Sequence, residues 1–228
     1  EWTIEESALV YQFRPEINTI SDTPPLHRKD RSHYVFGIDL GYSPDPSAIV
    51  VCEYRQFDRN LYVLESHKWP ELTLTDLAER IKALSERFPN ARMVVDAANK
   101  QAVEEMRQRH ALPLEAAEKH GKQGFIALMN ADFASGVIKL LPKAQALQLE
   151  YEQLTWEEGR LGRSRQEDPS LPNHCSDAAL YAWRWAYNYA WSQAPKELDA
   201  KDKVEQWWED QANKVAKYRG DNDFDQIE

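Results

Sequence analysis

A chain of 228 residues is long enough for one sizeable domain with a real core, plus appendages. With 42% hydrophobic and 29% charged residues it has the composition of an ordinary globular protein, and no apolar run approaches the ~20 residues that span a bilayer. A net charge of −10 argues against a free-standing, high-affinity DNA binder, though not against an enzyme whose site is itself acidic.

The chain opens on Glu1–Trp2–Thr3 without an initiating Met or the basic start of a signal peptide, and reads as a piece of something longer. Residues 1–32 have the composition of an N-terminal arm or interdomain linker, with one short extended element over Ser7–Phe13 and the breaker Pro24–Pro25 behind it. Tyr34–Asp39, Ser47–Tyr54 and Leu61–His67 read as three strands of an antiparallel meander, joined by turns at Gly41–Pro46 and Asp58–Asn60. Thr73 to Phe88 has helical periodicity, with Leu74, Leu77, Ile81 and Leu84 on one face and a Thr73/Asp76 capping box. A strand over 91–96, a helix from Asn99 to His110, an edge strand over 112–116, a helix from Gly124 to Gly136, a strand over 137–141 and a helix from Ala144 to Thr155 follow. Residues 157–172, rich in Gly and Arg, read as a flexible hairpin or loop, and 174–191 as a long aromatic helix. Residues 192–228 read as a charged helix and tail. The two cysteines, Cys52 and Cys175, suggest neither a disulfide scaffold nor a zinc cluster, and point to a reducing, intracellular setting.

Three strands, then alternating helices and strands, then a helix carrying an acid predict an α/β domain over 33–191, a mixed sheet flanked by helices. The fourth strand is expected parallel beside the first. Two apolar runs then end on aspartates at one edge: Tyr34–Asp39 and Arg92–Asp96. Asp177 opens the aromatic helix, with His174 three residues earlier on the same face. Three carboxylates buried together repel unless a divalent cation neutralises them, which points to metal-dependent phosphoryl transfer. Each acid has a blander reading. Asp39 can cap a turn, Asp96 can cap the next helix, and Asp177 can simply favour the helix dipole. Asn99 can take the capping role and free Asp96. Asp45, held between Pro44 and Pro46, can fold back toward a metal or face solvent. His174 is expected to orient a ligand or handle a proton, since imidazole suits Mg²⁺ less than carboxylate does. Lys139 and Lys143, with Arg160, Arg163 and Arg165, are the candidate DNA-backbone contacts, a merely solvated charged surface being the alternative. The aromatics of the last helix read as packing.

The segments Tyr34–Val51, Met93–Asn99 and His174–Trp183 resemble the three acidic motifs of the nuclease domain of the large terminase subunit of tailed double-stranded DNA viruses, a domain with the ribonuclease H-like fold. The resemblance covers roughly 33–191, and its most specific part is His174–Cys175–Ser176–Asp177 with the aromatic helix behind. It implies that Asp39, Asp96 and Asp177 bind Mg²⁺ or Mn²⁺, that Asp45 matches an auxiliary acid and His174 a histidine near the metal, and that 157–172 is a hairpin guiding DNA. It further implies an endonuclease that cuts concatemeric viral double-stranded DNA during packaging in the host cytoplasm. Its partners would be an ATPase domain, a small terminase subunit and a portal, and the isolated domain is expected to be a monomer. The sequence departs from the whole subunit in having no Gly-x-x-x-x-Gly-Lys-Ser/Thr loop. A Holliday-junction resolvase or integrase-like nuclease would keep the same acids on a more basic surface. An actin-like ATPase fragment shares only Gly37–Gly41 and the meander.

Overall fold

A computed structural model describes residues 8–26, 30–41, 45–157 and 165–190. Its centre is one six-stranded sheet, ordered β5-β4-β1-β2-β3-β6. Strands β1 (His33–Asp39), β2 (Ser47–Tyr54) and β3 (Leu61–Trp69) form the expected antiparallel meander. Strand β4 (Arg92–Val95) lies parallel to β1 with Ile38 opposite Val95. The ladder continues one residue further, the Asp96 N–H donating to the Ile38 carbonyl at 3.0 Å. Strands β5 (Leu114–Ala116) and β6 (Ile138–Leu140) add parallel edges beside β4 and β3. The sheet is therefore mixed, as helix–strand alternation after a meander predicts.

Helices cover both faces because alternate strand residues are apolar on both sides. On one face Phe36, Ile38, Met93 and Val95 pack with α2 (Leu74–Arg87) and α3 (Lys100–His110). On the other, Val35 and Val94 pack with α4 (Lys122–Ala134), α5 (Gln145–Gln153) and α6 (His174–Ala190). The helix starts obey local rules. Thr73 and Asp76 close a full capping box on α2, and the Asn99 side chain accepts from Ala102 N–H to cap α3. One close contact fixes α6: a Cβ on Gly37 would lie 1.8 Å from the Ala178 carbonyl oxygen. Only glycine on β1 lets the helix backbone rest directly on the strand. The buried Tyr181 and Trp183 fill the core behind this contact.

Residues 9–20 do not stand off as an arm. Val10, Tyr11 and Phe13 are buried in the α4/α5/α6 layer, and α1 (Pro15–Asn18) ends on a buried Asn18 whose amide donates to the Phe133 and Ile138 carbonyls. Composition missed this because short linkers and short packed strands share residues. The same segment pairs with the chain leaving α5: Val10 N–H donates to Leu154 O at 2.9 Å, and Trp156 N–H to Ala8 O at 3.0 Å. Residues 155–157 pair antiparallel with 166–168 through Glu157 N–H to Gln166 O and Asp168 N–H to Thr155 O. These are the two flanks of the expected hairpin, whose centre at 158–164 lies outside the described residues. The expected tail, 192–228, lies outside them too. Both cysteines are free and buried. Among the described residues no helix is long and apolar enough to cross a membrane.

Candidate active site

The parallel register of β1 and β4 sets Asp39 and Asp96 side by side at one sheet edge. Strand alternation then fixes their direction. Asp39 is two residues after Gly37, which touches α6, and Asp96 two after Val94, which joins the α6-side core. Both carboxylates face the first turn of α6. That turn brings His174 and Asp177, lowered onto the strand end by the Gly37–Ala178 contact. Tyr181, one turn after Asp177, senses the whole cluster: burial raises its phenol pKa, and Asp177, Asp96 and Asp39 raise it further. All three predicted acids thus act electrostatically on one buried hydroxyl.

Each acid also meets a basic partner, which offsets part of the repulsion among the three. His174 Nδ1 lies 2.9 Å from Asp39 Oδ2. An ionised carboxylate only accepts, so Nδ1 carries the proton in this bond. The bond to Asp39 raises the His174 pKa, more than burial lowers it, and Asp39, Glu150 and Asp45 add to the rise. Lys119 Nζ lies 2.5 Å from Asp96 Oδ2, while Asp96 Oδ1 accepts from the Ala98 N–H at 2.7 Å. Lys122 Nζ lies 2.6 Å from Asp177 Oδ1 and 2.8 Å from Glu167 Oε1. These two oxygens are buried and lack an aligned hydrogen bond, so the contacts are Coulombic more than directional. Burial pushes Asp177 up to about 6; Lys122 opposes the shift, and Glu167 and Asp39 reinforce it. Burial alone would lower Lys122, but Asp177 and Glu167 outweigh it and raise its pKa.

The donor set suits a hard divalent cation in its chemistry. Asp39, Asp96 and Asp177 are carboxylates with only 13%, 16% and 17% of their side chains exposed. Among the described residues, however, no three His, Cys, Asp or Glu side chains stand as a formed metal-holding group. Their side chains are turned to Lys119, Lys122 and His174 instead. A cation held by the three would compete with those partners.

The remaining predicted residues divide. Asp45 is exposed, close enough to His174 to help raise its pKa. Arg165 is exposed and lines a cleft of about 390 Å³ with Lys122, Trp156 and Glu167. Arg160 and Arg163 lie outside the described residues. Lys143 is mostly exposed, 3.3 Å from Glu65. Lys139 is not brought to the acids. It pairs with Tyr62 near the start of β3, whereas the acid edge is reached through Lys68 near its end, roughly 20 Å along the strand. Its ammonium donates to the Ile17 carbonyl at 2.7 Å.

Sequence reasoning missed Lys119, Lys122, Glu167 and Glu150. Buried Glu150, on α5, accepts from Lys68 at 3.0 Å and from the Ser176 N–H at 2.9 Å, so it caps α6 and neutralises that helix start. An acid on the buried face of α5 was a usable signal. The two lysines offered none, since their partners lie in distant elements.

No family model and no curated protein matches the chain. Solved structures do. The large terminase of bacteriophage D6E aligns over 76% of this chain at 14% identity with a TM-score of 0.65. The nuclease domain of the bacteriophage SPP1 large terminase g2p, with bound Mn, aligns over 67% of this chain and 86% of its own at 20% identity and TM-score 0.56. The P22 large terminase nuclease domain aligns over 77% and 90% at 11% identity and TM-score 0.62. The chain spans 44% of the length of the D6E large terminase. Its mixed sheet flanked by helices has the fold of these bacteriophage large-terminase nuclease domains.

Proposed function

We propose that this chain is a divalent-metal-dependent DNA endonuclease, the nuclease part of a terminase motor subunit that cuts concatemeric viral double-stranded DNA during genome packaging. The observation that carries the reading is the position of Asp39 and Asp96 at the adjacent ends of β1 and β4, with Asp177 in the first turn of the helix α6 that packs on β1. Asp39, Asp96 and Asp177 would hold the cation, with Asp45 as an auxiliary acid. When bound, Mg²⁺ or Mn²⁺ supplies charge to a scissile phosphate and acidifies an attacking water.

The chain's own residues do the rest. His174 orients Asp39 through its Nδ1–H and keeps a proton on the site, since Asp39 favours the charged imidazole. Glu150 fixes the α6 start by accepting the Ser176 N–H. Arg165, with Arg160, Arg163, Lys139 and Lys143, is assigned to the DNA backbone. Lys139 is the weakest member of that set, being tied to Ile17. The net charge of −10 fits a site that depends on a tethered ATPase domain for its grip on DNA. In the whole protein that domain, a small terminase subunit and a portal are the partners, in the host cytoplasm.

The test is nicking of supercoiled plasmid by the chain with Mn²⁺ or Mg²⁺, against excess EDTA. Nicking with metal that EDTA abolishes is expected. Nicking that persists unchanged in EDTA would sink the mechanism.

A further inference from the structure

Lys122 connects two parts of the molecule that the reaction does not by itself require to be joined. Its ammonium contacts Asp177 Oδ1 at 2.6 Å and Glu167 at 2.8 and 2.9 Å. Glu167 belongs to the strap 166–168, paired across Trp156 to residues 155–157, and these in turn pair with the packed N-terminal segment 8–10. Glu167 also accepts from the Asn173 side chain at 2.7 Å, immediately before α6. Lys122 starts α4 and serves both acids with one ammonium, so a change at one acid is felt at the other.

We propose that Lys122 is a shared counter-ion that couples cation occupancy at Asp177 to the docking of the 166–168 strap. The inference rests on the metal-site reading above. A divalent cation and an ammonium compete for the same carboxylate. An ion that takes Asp177 displaces Lys122, and displaced Lys122 no longer clamps Glu167. By linkage, a clamped strap opposes cation binding to the same degree that the cation loosens the strap. Lys119 competes for Asp96 in the same way but, among the described residues, forms no hydrogen bond or ion pair with the strap. It therefore tunes affinity without coupling.

The test uses the 228-residue chain with MnCl₂ as the probe. Mn²⁺ affinity is measured by titration calorimetry, and strap docking by amide exchange of Glu157 and Asp168, whose N–H groups bond to Gln166 and Thr155. In the wild-type chain, Mn²⁺ should speed exchange at both amides. Lys122→Gln should bind Mn²⁺ roughly 5- to 10-fold more tightly, exchange faster without metal, and show no further response to it. Lys119→Gln should also tighten binding but keep the response. Lys82→Gln, which removes the same charge from the exposed face of α2, should change neither. Equal or weaker Mn²⁺ binding by Lys122→Gln overturns the proposal. So does wild-type exchange that ignores Mn²⁺, or loss of the response in Lys119→Gln. A wild-type chain that binds no Mn²⁺ overturns the metal-site reading as well, which separates that failure from the others.

Discussion

Two carboxylates shielded from solvent, Glu65 on β3 and Asp177 on α6, end with opposite pKa shifts. Glu65, in the middle of β3, is shielded from solvent, and burial alone would raise it. Yet both Arg87 guanidinium nitrogens, His67 at 3.1 Å and Lys143 at 3.3 Å converge on it and hold it down to about 2. Asp177 has a single ammonium, shared with Glu167, and further acids nearby, so burial prevails and its pKa climbs to about 6. Glu65 is one acid with two cations and a histidine; the α6 edge has acids in excess of the charge available to them. The first arrangement stabilises a fold. The second stores repulsion that an added cation can relieve.

Exchanging acid for amide at the two places should separate these roles. Asp39→Asn, Asp96→Asn and Asp177→Asn should each lower plasmid cleavage at least roughly 100-fold, the scale for removing a group that acts on transition-state charge. Glu65→Gln should leave cleavage per folded molecule within about twofold. Full cleavage by Asp96→Asn would put it on the structural side of the comparison.

Gly37→Ala sharpens the comparison by moving one region only. The added methyl meets the Ala178 carbonyl oxygen, so α6 must lift from β1. A loss of about 3 kcal/mol in denaturant unfolding is expected, with Asp177 displaced and the Glu65 cluster intact. A stability change near zero would show that α6 is not held by this contact.

The pH dependence of unfolding in EDTA reads both acids with opposite sign. Glu65 is depressed from 4.5 to about 2, so its stabilisation is present above 4.5 and lost as pH falls toward 2. Glu65→Gln should cost about 2 kcal/mol at pH 7, discounted for the exposure of Arg87, and flatten that acid limb. Asp177 is raised from 3.8 to about 6, so the native state binds the extra proton between those values and stability falls as pH rises through them. Asp177→Asn should therefore stabilise the metal-free chain at pH 7 by about 1–2 kcal/mol. Denaturant melts at pH 4, 5.5 and 7 check this, and destabilisation at pH 7 would mean that Lys122 already balances the charge.

Much of this edge was legible from one sequence because short-range rules govern it. Two apolar runs ending in Asp give strand ends, period-two alternation gives the face, and the Thr73/Asp76 and Asn99 caps give helix starts that structure reproduces. What escaped is what depends on distant partners. The strap 166–168 and α4 approach Asp177 from other parts of the chain, so neither Lys122 nor Glu167 carried a signal. The charge of Lys139 suggests the site, but β6 pairs with the start of β3, at the far end of the sheet. Val10 and Tyr11 share a stretch with linker-like prolines, although they belong to the core.

The proposed joint binding of a divalent cation by Asp39, Asp96 and Asp177 is open to anomalous scattering from a crystal soaked in Mn²⁺. A manganese peak is expected within ligand distance of all three carboxylates, one or two ions being equally acceptable, with Lys122 withdrawn from Asp177. A peak elsewhere on the chain, or a saturated soak that leaves Lys119 and Lys122 on their acids and no manganese between them, would contradict it.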